Sequence, residues 1–170
     1  MVNNLIKDVK RMFNFFKGKQ GIIIGAPIKG EAVPVTEVSD PTFGEKILGD
    51  GIAIKPSEGK VVAPVDATVE MMFDTGHAVS LHSDDGTDIL IHVGLDTVAL
   101  KGEHFKTHAT NGQKVKKGDL LIEFDVEAIK AAGYDTISPL VICNTPDYKE
   151  VKTSTGAVNA LDKVIELIKK

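Results

Sequence analysis

Tryptophan is absent from this 170-residue chain, cysteine occurs once, and aromatic residues make up only 5%. A lone cysteine, Cys143, cannot close an internal disulfide, so the chain suits a reducing compartment. Its neighbours Val141 and Ile142 suggest a buried strand, a poor setting for a nucleophile. No apolar run is long enough to span a bilayer. The N-terminus lacks the apolar run and small-residue cleavage site of a secretory signal. These absences point to a cytoplasmic protein. A net charge of -4 gives no reason to expect nucleic acid as a partner. Neither a P-loop nor a kinase-type glycine loop is present, so the sequence gives no motif for ATP. Hydrolytic chemistry has no nucleophile elbow and no serine in a suitable context.

What is present fits an ordinary globular chain: 42% hydrophobic and 26% charged residues. Residues 1–20 stand apart from the rest. They carry Lys7, Lys10, Arg11, Lys17 and Lys19 against Asp8, while Leu5, Ile6, Val9, Met12, Phe13 and Phe16 recur at helical spacing. That is a basic amphipathic helix, able to lie on an anionic membrane surface as a peripheral contact. The plainer readings are a helix docked on the domain, or a linker from a larger parent.

Residues 21–170 read as one all-β domain, an antiparallel sandwich or barrel-like fold with short helices. Short apolar runs alternate with glycine and proline: Ile22–Ile24, Ile52–Ile54, Val79–Leu81, Ile89–Val93 and Leu120–Phe124. The spacing predicts a short helix over Val126–Ala132, ending at Gly133. Ala26-Pro27-Ile28-Lys29-Gly30 echoes Ala63-Pro64-Val65-Asp66-Ala67, which suggests a sheet built from related halves. Gly112–Leu120 has the rhythm of a lipoyl carrier, but Glu70-Met71-Met72-Phe73 lacks the tip lysine such carriers need. At the C-terminus Leu161, Val164, Ile165 and Ile168 fit helical spacing, and Val164–Ile168 fits a strand equally well.

Five histidines are present: His77, His82, His92, His104 and His108. His92 is set inside the otherwise apolar run Ile89–Gly94, where an unsatisfied ring costs about 1–3 kcal/mol. It needs a partner or a task. If Ser83–Gly86 forms the loop of a hairpin, His82 lies opposite Thr87 and His77 opposite His92, on one face. Two adjacent imidazoles can bind a metal, run acid–base chemistry, or carry a phosphoryl group. Zinc would call for three or four ligands; Asp96 lies four residues after His92, but no closely spaced His-x-His or cysteine pair completes a set.

Several segments together resemble the glucose-type enzyme IIA family of the bacterial phosphoenolpyruvate-dependent sugar phosphotransferase system. They are Gly49–Pro56, Ala63–Asp66, Thr75-Gly76-His77-Ala78-Val79, Ile89–Val98 and Ile122–Asp125. The resemblance spans residues 22 to about 145. It implies a β-sandwich and a relay in which the histidine phosphocarrier HPr donates a phosphoryl group to Nε2 of His92. A cysteine on a sugar-specific enzyme IIB then accepts it. His77 matches the family's supporting histidine, and Thr75 matches the residue that orients it. Phe43, Ile47, Phe73, Leu90 and Val98 match the apolar ring where partners dock, with Asp96 beside them. Partner binding by phosphorylation state would add a regulatory role. No cofactor is required, although in some members both histidines bind zinc together with a partner's carboxylate. The chain departs from the family at Ala67 and His104, where glycine is usual, at Asp88, where glutamate is frequent, and in lacking a glycine after Val158. His82, His104 and His108 have no motif support and read as solvated or structural. The rivals are a zinc peptidase of related architecture, for which a ligand set is missing, and a purely regulatory docking protein.

Overall fold

The computed structural model describes Lys7 and residues 21–170. The amphipathic helix expected over residues 1–20 otherwise lies outside the described residues. In the rest, β-branched residues alternate with small or polar ones, which gives strands with one core face and one outer face. An eight-stranded antiparallel sheet forms the body of the fold. Its order is β13 (Gly156–Val158), β2 (Gly30–Pro34), β3 (Asp50–Pro56), β11 (Ser138–Ile142), β7 (Asp88–His92), β6 (Ala78–Ser83), β5 (Ala67–Met72) and β9 (Lys114–Val115).

Two three-stranded sheets cover its inner face. One is β1 (Ile22–Gly25), β14 (Lys163–Lys169) and β12 (Tyr148–Thr153); the other is β4 (Lys60–Val62), β10 (Leu120–Phe124) and β8 (Phe105–Thr107). Ile52, Ile54, Leu81, Ile89, Ile91 and Leu140 pack there against Ile24, Ile122, Val164 and Ile165, all essentially inaccessible. The outer face carries a smaller core of Val33, Val35, Val38, Phe43, Ala53, Leu95, Ile137 and Val141. It is capped by the single-turn helix α1 (Pro41–Gly44), whose start is fixed by Pro41 and by the Asp40 carboxylate accepting the Thr42 N–H at 2.9 Å. Helix α2 (Val126–Ala131) is capped by Asp125 and stops before Gly133 at φ 95°, as its spacing predicts.

The repeated Ala-Pro segments are the visible trace of an internal two-fold relationship. Gly25 N–H donates to the Pro64 carbonyl at 3.2 Å, and Val62 N–H returns the same bond to Pro27 at 2.9 Å. Ala26 exchanges bonds with Leu161 and Asp162 as Ala63 does with Gly118 and Asp119. Both small sheets repeat one register, with Ile24 opposite Ile165 in the first and Val61 opposite Ile122 in the second. The axis passes between β7 and β11, where Ile91 faces Leu140. The sheet built from related halves is therefore real.

Two readings are corrected. The β6–β7 hairpin closes on three residues, not four: Ser83 N–H donates to the Thr87 carbonyl at 2.8 Å around Asp84–Gly86, with Gly86 at φ 88°. The odd loop shifts the register by one, so His82 faces Asp88 and His92 faces Ala78. Cys143 is exposed, because β11 ends at Ile142. Partial burial of the sulfur, with the Asp88 and Glu70 carboxylates, still pushes its thiol up, which disfavours a thiolate. The ambiguous C-terminus is a strand, the central one of its sheet. No helix among the described residues is long and apolar enough to cross a membrane.

Candidate functional site

His92 ends β7 on the outer face. His77 sits one residue before β6, after a turn closed by Gly76 at φ 70°. Strand alternation alone would send His77 to the opposite face from His92, since Val93 N–H donates to the His77 carbonyl at 2.7 Å. The turn brings the two rings together instead, edge to face, with centroids 5.1 Å apart and planes at 80°. The pair expected from an incorrect register is thus delivered by a turn.

Each ring has its Nδ1 occupied. His92 Nδ1 is 2.7 Å from the Gly94 carbonyl, which can only accept, so His92 carries its proton on Nδ1 and a lone pair on Nε2. His77 Nδ1 bonds the Thr75 hydroxyl. If that hydroxyl donates, the His77 proton resides on Nε2, ready to donate outward. Phe43 packs on His92 at 5.1 Å and Phe73 on His77 at 5.2 Å.

Burial sets the charge of both rings. His77 is only 5% exposed, and burial, helped by its neighbour His92, lowers its pKa to about 4. Burial also lowers His92, opposed by the Gly94 bond and by the Asp40 and Asp96 carboxylates. Both imidazoles are therefore neutral near pH 7.

The backbone on either side of the Gly94 carbonyl is held from behind. Gly94 N–H donates to Ser138 Oγ at 3.2 Å, Leu95 N–H to the Asp135 carbonyl at 2.9 Å, and Thr97 Oγ1 to the Val93 carbonyl at 2.5 Å. Gly94 is at φ 71°, and a Cβ there would meet Thr97 Cγ2 at 2.7 Å and the Asp135 carbonyl at 2.8 Å. Glycine in the motif was a signal for this turn; Asp40 and Ser138 gave none.

The residues that the resemblance assigns to partner docking differ in exposure, and of them Phe43 and Phe73 touch the rings. Ile47 and Val98 are 68% and 54% exposed, Phe73 and Leu90 are half-buried, and exposed Asp96 adds negative charge. Phe43, at 4% exposure, forms a wall more than a docking surface. The remaining histidines stand elsewhere: His82 against Asp88, His104 and His108 beside Glu103 and Glu123. His104 sits at φ 75°, a backbone conformation that favours glycine.

A family model described as phosphoenolpyruvate-dependent sugar phosphotransferase system, EIIA 1, matches residues 22–148. The chain belongs to that family. The glucose-specific EIIA component of Buchnera aphidicola subsp. Acyrthosiphon pisum is 45% identical over 152 residues, covering 89% of this chain and 94% of the relative. The β-glucoside-specific EIIBCA component of Bacillus subtilis (strain 168) is 51% identical over 126 residues, 74% of this chain but 21% of that longer one. Among solved structures, glucose permease IIA from Mycoplasma capricolum superposes with a TM-score of 0.81 at 33% identity, covering 86% of this chain and 95% of that one. As an EIIA chain it is a phosphocarrier component of sugar uptake, a member of a phosphotransferase relay.

Proposed function

We propose that His92 Nε2 accepts a phosphoryl group from phospho-HPr and passes it to a cysteine of an enzyme IIB. In the first step the Nε2–P bond forms as the donor's N–P bond breaks. In the second, the Nε2–P bond breaks as the acceptor thiolate forms an S–P bond. The observation that carries this reading is the 2.7 Å bond to Gly94, which leaves a neutral, half-buried ring with its lone pair on Nε2. Phosphoryl transfer runs through a loose transition state, so the protein's work is positioning and charge stabilisation. His77, oriented by Thr75, donates its Nε2 hydrogen to the phosphoryl oxygens. Ile47, Phe73, Leu90 and Val98, with Asp96 at their edge, receive both partners in turn. The added phosphoryl charge beside this apolar set lets phosphorylation state decide which further proteins dock. Residues 1–20 supply a peripheral contact with anionic membranes, a reading motivated by sequence alone.

Zinc has a smaller place. Among the described residues no third His, Cys, Asp or Glu stands with His77 and His92. Two donors fall short of the three or four zinc requires, so a docked partner's carboxylate has to complete the site. The zinc-peptidase alternative has the same shortfall and no partner to make it up.

The test is intact-mass spectrometry after incubation with phosphoenolpyruvate, enzyme I and HPr. One acid-labile phosphoryl group is expected on the native chain and none on His92→Gln. No addition while HPr itself is phosphorylated overturns the proposal.

A further inference from the structure

A second cluster of ligating side chains lies on the outer face of the sheet, away from the histidine pair. His82 on β6 faces Asp88 on β7 directly, and its Nδ1 is 2.7 Å from Asp88 Oδ1. Glu70 joins them from β5. The β5–β6 ladder is interrupted between Val69 and Met71, and this bulge turns both Glu70 and Met71 outward. One donor atom from each of Glu70, His82 and Asp88 then lies within 4.8 Å of the others. Register and bulge thus converge three donors from three adjacent strands.

Charge favours a cation there. Two carboxylates share the spot, and among the described residues no lysine or arginine pairs with either. The remaining polar atoms nearby are committed elsewhere: Asp88 N–H donates to Asn144 Oδ1 at 2.9 Å, and its carbonyl accepts from Cys143 N–H at 2.8 Å. These backbone bonds clamp the strand that carries Asp88. One imidazole with two carboxylates suits a borderline first-row divalent ion such as zinc or cobalt, whereas calcium and magnesium favour all-oxygen sets.

We propose that Glu70, His82 and Asp88 form a surface site for a divalent transition metal, separate from the phosphoryl-carrying pair. Three protein donors leave at least one position for water or for a donor on another molecule. Asp88 and His92 share the outer face of β7 four residues apart, on the order of 13 Å. A metal at this site therefore stands on the same face as the reacting ring without touching it.

Equilibrium dialysis against Zn2+ tests this in the full chain, with His92→Gln present so that the histidine pair cannot contribute. One zinc ion retained per chain is expected, and adding His82→Gln weakens retention at least tenfold. His82 is exposed, so its replacement leaves the fold intact. Unchanged affinity in the double variant overturns the proposal, as does retention only above about 1 mM, the weak limit of useful binding. Independently, Co2+ added to the His92→Gln protein shifts the backbone amide resonances of Glu70, His82 and Asp88 most strongly. Amides that stay in place while cobalt binds overturn it equally.

Discussion

The carbonyl oxygen of Gly94 accepts the Nδ1 hydrogen of His92 at 2.7 Å, and in doing so fixes the tautomer of that ring. A turn whose flanking backbone groups are bonded to Ser138, Thr97 and Asp135 thus decides which nitrogen is left free. Small changes behind the ring should therefore reach its chemistry.

Gly94→Ala is the sharpest such change. Its Cβ would collide with the Asp135 carbonyl and Thr97 Cγ2, and alanine at φ 71° is strained whatever the space. A stability loss of about 1–3 kcal/mol is expected, together with slower phosphorylation of His92. Urea unfolding and a phosphorylation time course check both. A variant as fast and as stable as the native chain would show that the carbonyl is not needed.

His77→Gln should leave uptake by His92 largely intact while slowing delivery to enzyme IIB by about 100-fold or more, the usual cost of one transition-state donor. Thr75→Val should produce a smaller loss in the same step. Single-turnover transfer from the isolated phosphoprotein measures delivery alone. Unimpaired delivery would refute the assisting role.

Ile47 and Val98 are exposed enough to be changed without disturbing the core. Ile47→Asp and Val98→Asp are expected to alter stability by less than about 0.5 kcal/mol. Both should raise the apparent KM for phospho-HPr, because they put charge into the apolar docking set. Steady-state transfer at varied HPr concentration separates this from an effect on kcat.

Acid should destabilise the fold through His77. Its folded pKa, about 4, lies below the ordinary 6.5, so the unfolded chain takes up the proton first. This group costs nothing above neutrality; stability falls as pH drops from 6.5 and levels off below 4. The full loss is on the order of 3 kcal/mol. His77→Gln removes that part of the slope, and urea midpoints between pH 7 and pH 4 measure it. Parallel slopes in the two proteins would place the acid sensitivity elsewhere.

Deleting residues 1–18 should preserve phosphotransfer in solution and reduce association with anionic vesicles, as read by co-sedimentation. Equal binding after the deletion would end the membrane reading.

The strands and the two histidines were legible because each depends on local pattern: β-branched runs, and a polar ring within Ile89–Gly94. Register was not, because parity turned on whether Gly86 adopts a left-handed conformation and shortens the loop by one. The last strand was obscured for a related reason. Leu161 at φ 75° occupies the place that Gly118 fills at φ 99° in the other half, so the usual punctuation is missing. Asp40 and Ser138 were invisible because they reach the site across many intervening residues. Cys143 was misplaced because a strand's last buried residue says nothing about its successor.

In the two-fold arrangement the backbone position of His92 on β7 is matched on β11 by Val141, paired with Gly51 as His92 is with Ala78. One half carries the reactive ring at this position; the other carries an aliphatic side chain packed in the cluster that holds Phe43. The same Phe43 ring leans on His92. Phe43 thus ties the two equivalent positions together, and a change at that ring should be felt as a loosened histidine next door.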